Sequence, residues 1–178
     1  MTVYAGLAGI VLGMLATAAD AEPVPLVEKP GHITEGVVTV DAPPAEVYAL
    51  VTDYARWPAI LSDVSSVKVE RGGPRDARVA FHSRAIGSDV TVVFDNVPDR
   101  EIRFTGVEGP PGGRAHGDYR LEPIDGGRHT RVTADLYLDV VGVPGWFVSD
   151  SYIRNKRRSK LAHDLADVAN HFARRAAS

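Results

Sequence analysis

The stretch from Pro144 to about Ala177 is one uninterrupted helical pattern, with no glycine or proline after Gly145. Its apolar residues recur at spacings of four, three and four, so they share one narrow stripe: Leu161, Leu165, Val168 and Phe172. A helix of this length with a single apolar stripe must lie against a large partner surface. The pattern therefore predicts that the C-terminal helix covers a sheet and buries this stripe.

The same face becomes ionic toward the start of the helix. Steps of about 100° per residue back from Leu161 meet Arg157, Arg154 and Asp150. An inward charged face is costly unless it is paired, solvated or in contact with a ligand. We therefore assign Asp150, Arg154 and Arg157 to a candidate ligand site, with Arg154 at the cavity mouth beside Asp150. The alternative is a roll or kink near Asn155 that leaves Asp150 and Arg154 in water.

Five bases fall within the seven residues from Arg154 to Lys160. This basic run fits a solvated helix face, attraction to an anionic membrane surface, or recognition of an acidic ligand head group. A helix cannot point all five bases outward while it keeps Leu161 and Leu165 inward. At least one base is therefore predicted to face the sheet.

The N-terminal stretch Val3–Ala19 carries no charged side chain and ends in the small-x-small pattern Ala19-Asp20-Ala21. This pattern predicts a signal peptide over residues 1–21 and a periplasmic or secreted protein. An uncleaved membrane anchor and a buried N-terminal helix are the alternatives. Residues 22–31 contain three prolines and are interpreted as a spacer, which leaves residues 32–178 as the folded domain.

The middle of the chain changes from helical to alternating patterns. A strand over residues 33–40 is followed by a helix that Pro44 opens, a short turn of helix near Trp57, and about six runs that alternate apolar and polar residues. Turn residues between the runs predict an antiparallel meander. The order predicts an α+β fold, with a curved antiparallel sheet of about seven strands wrapped around the long C-terminal helix. A gap between sheet and helix would hold a small ligand.

Composition and motifs exclude several functions. The chain has 178 residues, which fits one folded domain, and a net charge of −3, which argues against nucleic-acid binding. It has no cysteine, and its six histidines form no zinc motif, so we predict no metal and no cofactor. No catalytic residue is assigned, because Asp53, at the end of a helix, fits a local structural role.

Three stretches carry a resemblance to a known superfamily. They are VDAPPAEVYALVTDYARWP at residues 40–58, GDYRLEP at residues 117–123 with the following Asp125-Gly126-Gly127, and Val143-Pro144 before the last helix. The chain resembles the START-like (SRPBCC) superfamily over about residues 32–177. The nearest groups are the polyketide cyclase/dehydrase and lipid-transport group and the coenzyme Q-binding START-type proteins. The resemblance implies a helix-grip fold.

The resemblance and the pattern together favour binding, and possibly carrying, of a hydrophobic or amphipathic molecule such as a lipid, quinone or polyketide. The alternatives are an aromatase/cyclase acting on a polyketide-like substrate, or a ligand-free interaction module that uses the basic helix. The candidate ligand-binding residues also include Tyr119, Leu161, Trp57 and Trp146. The two tryptophans flank the helix joints and fit either packing or the rim of the cavity mouth. Tyr119 fits either a core position or a cavity wall that offers one hydrogen bond. We expect a monomer that touches an anionic membrane only transiently.

Overall fold

A computed structural model describes residues 23–142 and 149–177. Eight antiparallel strands form one curved sheet, in the order β1-β2-β8-β7-β6-β5-β4-β3. The strands are β1 (Leu26–Lys29), β2 (Ile33–Val40), β3 (Val64–Gly72), β4 (Asp76–Ser83), β5 (Ser88–Asp95), β6 (Glu101–Glu108), β7 (Gly113–Ile124) and β8 (His129–Val140). The helices are α1 (Pro44–Thr52), α2 (Trp57–Ile60) and α3 (Asp150–Ala176), with a 3-10 turn at Tyr54–Arg56 between α1 and α2.

This architecture confirms the predicted α+β helix-grip fold, in which the sheet curves around α3. The sheet has one strand more than the seven expected, because β1 lies inside the predicted spacer. The spacer interpretation of residues 22–31 is therefore wrong for Leu26–Lys29, which pair with β2. The prolines that suggested a spacer, Pro23, Pro25 and Pro30, flank β1 and remove no hydrogen-bond donor from it.

Helix α3 begins at Asp150, later than the predicted start at Pro144, which lies outside the described residues. Ser149 is extended, with φ −81° and ψ 149°, and its Oγ accepts a hydrogen bond from the Tyr152 N–H at 3.3 Å. A serine in this position is a favourable N-cap and sets where the helix starts. The predicted apolar stripe is confirmed, because its four side chains are each at most 5% exposed: Leu161, Leu165, Val168 and Phe172.

Two glycines allow close packing on the inner side of the sheet. A Cβ on Gly36 of β2 would lie 2.6 Å from Leu165 Cδ1, so α3 approaches β2 more closely than another residue would allow. A Cβ on Gly117 of β7 would lie 2.8 Å from Phe104 Cζ. The bare backbone at Gly117 therefore leaves room for the Phe104 ring on the concave face.

The sheet does not follow α3 along its whole length. Register shifts occur between β3 and β4 and between β5 and β6, and such bulges bend a sheet. Helix α3 packs on β2 and β8 at one side of the sheet. A space consequently remains between α3 and the strands on the other side, from β4 to β7.

No helix among the described residues is long and apolar enough to cross a membrane. The apolar stretch near the N-terminus lies outside the described residues. The signal peptide over residues 1–21, and with it export, therefore stays a prediction.

Replacement of Leu165 by alanine tests the packing of α3 on the sheet. Leu165 is 1% exposed, and its truncation should cost about 2–5 kcal/mol of unfolding free energy through lost burial and a residual cavity. Urea unfolding would measure the loss. Arg154→Ala, at an exposed position of the same helix, is the matched control and should change the unfolding free energy by less than about 0.5 kcal/mol. Equal effects of the two substitutions would contradict the packing described here.

Candidate functional site

The space between α3 and the sheet contains two adjoining cavities. The outer cavity has a volume of about 620 Å³ and lies among β4 to β8, the loop of residues 109–112 and the first turns of α3. The inner cavity has a volume of about 70 Å³ and lies deeper in the core. The outer volume falls in the range of about 300–1,000 Å³ that is typical of small-molecule sites. Five side chains line both cavities: Phe81, Val92, Phe104, Leu136 and Lys160.

The walls of the inner cavity are mostly aromatic and aliphatic. Trp57 packs edge-on against Phe81 with ring centroids 5.4 Å apart, and Phe94 lies 5.8 Å from Trp57. The Trp57 indole N–H donates to the Val51 carbonyl at 2.8 Å, so its polar atom is already bonded within the protein. These walls are suited to a flat or extended apolar group.

A buried ionic cluster interrupts this apolar wall. Lys160 Nζ lies 3.0 Å from Asp63 Oδ2 and 2.9 Å from Asp164 Oδ2. The Tyr119 hydroxyl donates to Asp164 Oδ2 at 3.2 Å. The side chains of Lys160, Asp63 and Asp164 are only 13%, 2% and 9% exposed. Of the four residues, Tyr119, Lys160 and Asp164 line the inner cavity, whereas Asp63 lies behind them.

The fold holds Asp63 from several directions. It lies between α2 and β3, where its Oδ1 accepts from the Ala85 N–H at 2.6 Å and its Oδ2 from the Ser83 hydroxyl at 2.8 Å. The neighbouring Ser62 donates through its N–H and its hydroxyl to Asp167 of α3, at 2.6 and 2.7 Å. Lys160 and Asp167 thus tie the middle of α3 to the start of β3, and this fixes the ammonium group at the cavity wall.

The cluster sets different protonation behaviour for its members. Burial alone would raise the pKa of Asp63, but the charge of Lys160 and the hydrogen bonds from Ala85 and Ser83 hold it below the usual value. Burial raises the pKa of Asp164, and the charge of Lys160 offsets only part of this effect. Burial would lower the pKa of Lys160, but the two carboxylates together raise it. Asp164 is therefore the member that can exchange a proton most readily.

The phenol of Tyr119 stays protonated. Burial and the adjacent charge of Asp164 raise its pKa well above the usual tyrosine value. The hydroxyl accordingly acts as a hydrogen-bond donor to Asp164.

Tyr119 lies at a cavity wall, as the sequence predicted, whereas Trp57 is buried at 6% exposure and does not lie at the cavity mouth. Trp57 and Tyr119 both line the inner cavity, and Tyr119 offers the expected polar group at the wall. Leu161 is 1% exposed but belongs to the packed core beside the cavity. Trp146 lies outside the described residues, so its role stays a prediction.

The predicted role of Arg157 at a ligand site is replaced by a structural one. Arg157 does face inward, at 3% exposure, but its guanidinium is bonded within the protein. Its Nη2 lies 2.6 Å from Glu28 Oε2, its Nε 2.7 Å from Thr34 Oγ1, and its Nη1 donates to the Leu138 carbonyl at 3.2 Å. The partner is Glu28 because β1, which the sequence did not predict, brings a carboxylate to this face.

Asp150 and Arg154 do not lie at the cavity mouth. Both are exposed, and neither lines a cavity. Arg157 already contacts Thr34 near the start of β2 and Leu138 near the end of β8, so the preceding turns of α3 extend past these strands. The inward face there passes through Ile153, which is 8% exposed, and this matches the alternative in which Asp150 and Arg154 turn to water.

The residues that carry the site, Asp63, Lys160 and Asp164, were not predicted individually. The prediction that at least one base of the basic run faces the sheet is confirmed, since Arg157 and Lys160 both do. One signal could have identified the pair: Lys160 and Asp164 are four residues apart, a spacing that places them on the same helix face. Asp63 lies in a connecting segment and has no periodic signal.

Within residues 23–142 and 149–177, no group of three or more metal-binding side chains comes together. The site is therefore described by its protein groups alone.

The fold and the cavities define a helix-grip domain with an internal space of small-molecule size. Comparison with known proteins agrees: the family model described as "Polyketide cyclase / dehydrase and lipid transport" matches residues 32–172. The chain belongs to this family.

Solved structures are similar to this chain over most of its length. The Zhui aromatase/cyclase from Streptomyces sp. R1128 has a TM-score of 0.66 at 22% identity, covering 81% of this chain and 94% of that chain. A START superfamily protein from Mycobacterium smegmatis has a TM-score of 0.64 at 16% identity, covering 81% of this chain and 99% of that chain. At these identities the similarity concerns the fold, and it confirms the predicted helix-grip architecture.

One curated relative is similar over a short stretch. The granaticin polyketide synthase bifunctional cyclase/dehydratase of Streptomyces violaceoruber is 46% identical over 48 residues. This match covers 27% of the present chain and 15% of the relative.

The raised pKa of Asp164 predicts a specific pH dependence. A carboxyl whose pKa is raised by folding stabilises the folded state fully below the unfolded value of about 3.9, and that contribution is lost as the pH rises through the folded value. Asp164→Asn removes this contribution. The unfolding free energy of wild type relative to Asp164→Asn should therefore fall as the pH rises above about 4. Urea unfolding of both proteins between about pH 4 and 8 tests this, and a relative stability that rises with pH would contradict it.

Proposed function

We propose that this protein binds a hydrophobic small molecule with one polar end in the two adjoining cavities. The apolar body would lie in the outer cavity, and the polar end would reach Lys160, Asp164 and Tyr119. The observation that supports this is the position of Lys160, which is buried, charged and part of the lining of both cavities. A ligand that enters through the outer cavity meets the Lys160 ammonium before it reaches the inner cavity.

The energetics suit such a ligand. Apolar burial contributes about 25 cal/mol per Å², so a ligand that loses about 200 Å² of apolar surface gains about 5 kcal/mol before the costs of association. The cluster orients the ligand, because an apolar end placed against the buried polar groups would leave them without hydrogen-bond partners. These walls therefore favour a ligand that enters with its polar end first.

The mouth of the cavity is suited to contact with an apolar phase. Val107 and Tyr152 line the outer cavity and are 47% and 52% exposed, with the ammonium of Lys156 lying 5.4 Å from the Tyr152 ring centroid. For this reason we propose that the mouth of the outer cavity makes transient contact with an anionic membrane surface. Export, a monomeric state and the absence of nucleic-acid binding remain predictions from the sequence.

A second candidate function is an aromatase/cyclase reaction on a polyketide-like substrate. It is favoured by Asp164, a carboxyl that can exchange a proton, lies against the cavity and is hydrogen-bonded to Tyr119. The similarity to the Zhui aromatase/cyclase and to the granaticin cyclase/dehydratase supports the same candidate. Turnover of a poly-β-keto substrate that Asp164→Asn abolishes would support the enzyme, whereas binding without turnover supports the carrier.

Filling the junction of the two cavities tests the binding proposal. Val92→Phe places a ring where the two cavities meet, and the dissociation constant of the neutral probe N-phenyl-1-naphthylamine should rise at least about tenfold, which corresponds to about 1.4 kcal/mol. Fluorescence titration would measure it.

The matched control for this substitution is Val93→Phe. Val93 is the next residue of β5 and belongs to the opposite face of the sheet, outside both cavities. The Val93→Phe substitution should leave the affinity for the probe unchanged. If Val92→Phe binds the probe as tightly as wild type while remaining folded, the cavity is not the binding site.

A further inference from the structure

One carboxylate and one ammonium line the inner cavity, and a second carboxylate, Asp63, lies behind them. Asp63 and Asp164 both contact Lys160, and within the described chain no second cation lines the inner cavity. The other inward base, Arg157, is bonded to Glu28, Thr34 and Leu138. The cluster therefore has one negative charge in excess when both carboxyls are ionised.

The two carboxylates differ in the other hydrogen bonds that they receive. Its two oxygens accept hydrogen bonds from Ala85, Ser83 and Lys160, and it is the carboxylate farther from the cavity. Asp164 shares the same ammonium and receives one further bond, from Tyr119. A third carboxylate brought to Lys160 by a ligand would place three anions around one cation, and one of them would have to take up a proton.

A neutral hydroxyl group on the ligand adds no charge to the cluster, so no group has to take up a proton. A carboxylate has about four lone-pair directions, and Asp164 uses three contacts, two with Lys160 and one with Tyr119. One acceptor direction remains for a ligand O–H. An ammonium has three N–H donors, and Lys160 makes one contact with Asp63 and two with Asp164. The ligand O–H therefore meets the cluster as a donor to Asp164, which a ligand carboxylate cannot do.

The size of the inner cavity restricts what can approach the cluster. Its volume of about 70 Å³ admits the end of a ligand and excludes a bulky head group. The charged residues at the outer mouth are of both signs, Lys156 and Arg114 with Glu108 and Asp139, so they add no large field of one sign.

From these contacts we infer that the inner end of the cavity selects ligands that end in a neutral hydroxyl, an alcohol or a phenol, and discriminates against carboxylates such as fatty acids. This inference rests on the proposed binding function and specifies its ligand chemistry. It also reverses the simplest expectation for a buried lysine in a lipid-sized cavity, which is that it binds an acid.

Isothermal titration calorimetry at neutral pH with 2-naphthol and 2-naphthoate tests the inference, because the two share one aromatic body and differ in the polar end. Wild type should bind 2-naphthol at least about tenfold more tightly than 2-naphthoate, as expected for one uncompensated charge in a partly dry site. In Asp164→Asn, which keeps the shape of the side chain and removes its charge, the preference should fall below about threefold.

Two controls separate charge at the cluster from other effects. Asp150→Asn removes a carboxylate from an exposed position of the same helix, outside both cavities, and should keep the wild-type preference. The neutral amide 2-naphthamide has nearly the shape of 2-naphthoate and should bind wild type at least about tenfold more tightly than 2-naphthoate. The amide comparison carries the test by itself if Asp164→Asn does not fold.

The outcomes are distinct. Binding of 2-naphthoate by wild type as tightly as of 2-naphthol would overturn the inference and leave the binding function standing. A preference that survives in Asp164→Asn, or disappears equally in Asp150→Asn, would also overturn it. Failure of wild type to bind any of the three compounds would count against the binding function itself, and the inference would fall with it.

Discussion

The cavity depends on the ion pairs of Lys160 with Asp63 and Asp164. Helix α3 must cross the concave face of the sheet without closing onto it, and Lys160 connects the middle of the helix to the segment before β3. Removal of the Lys160 ammonium would leave two buried carboxylates uncompensated, and such a loss costs about 3–5 kcal/mol. The helix is thereby held at a fixed position, and the same contact gives an apolar cavity its one polar wall.

A second buried base fixes the other side of the helix. Arg157 joins α3 to β1, β2 and β8 through Glu28, Thr34 and the Leu138 carbonyl. Arg157 and Lys160 lie one helical turn apart, with Arg157 bonded toward β1 and β2 and Lys160 toward the start of β3. All the hydrogen bonds that the structure gives Arg157 go to protein groups, whereas Lys160 also faces the cavity. Of the two inward bases of the run, only Lys160 is therefore placed to meet a ligand, whereas Arg157 has a structural role.

Much of the fold could be predicted from the sequence because periodicity reports burial directly. The alternation along β4 to β8 predicted an antiparallel sheet, and the stripe through Leu161 and Leu165 predicted which side of α3 faces the sheet. The strand β1 could not be predicted in the same way. It has four residues flanked by prolines, and its pairing with β2 becomes visible only in three dimensions.

The candidate site was harder to predict than the fold. Lys160 lies about 100° around the helix from Leu161, so a stripe drawn through the apolar residues misses the side of α3 that faces the cavity. Asp63 lies in a connecting segment, where no repeat reveals orientation. Tyr119 could be predicted because it belongs to an alternating strand pattern that places it on the inner surface. Which charged residues reach the cavity depends on the local path of α3 over the curved sheet. Sequence periodicity does not specify that path.

A crystal structure of the protein with 2-naphthol would test the central claim most directly. The account predicts the aromatic body in the outer cavity and the hydroxyl oxygen within about 2.7–3.2 Å of Lys160 Nζ or an Asp164 carboxylate oxygen. A ligand bound on the outer surface of the protein, or bound in the cavity with its hydroxyl turned to the mouth and its apolar edge against Lys160, would contradict it.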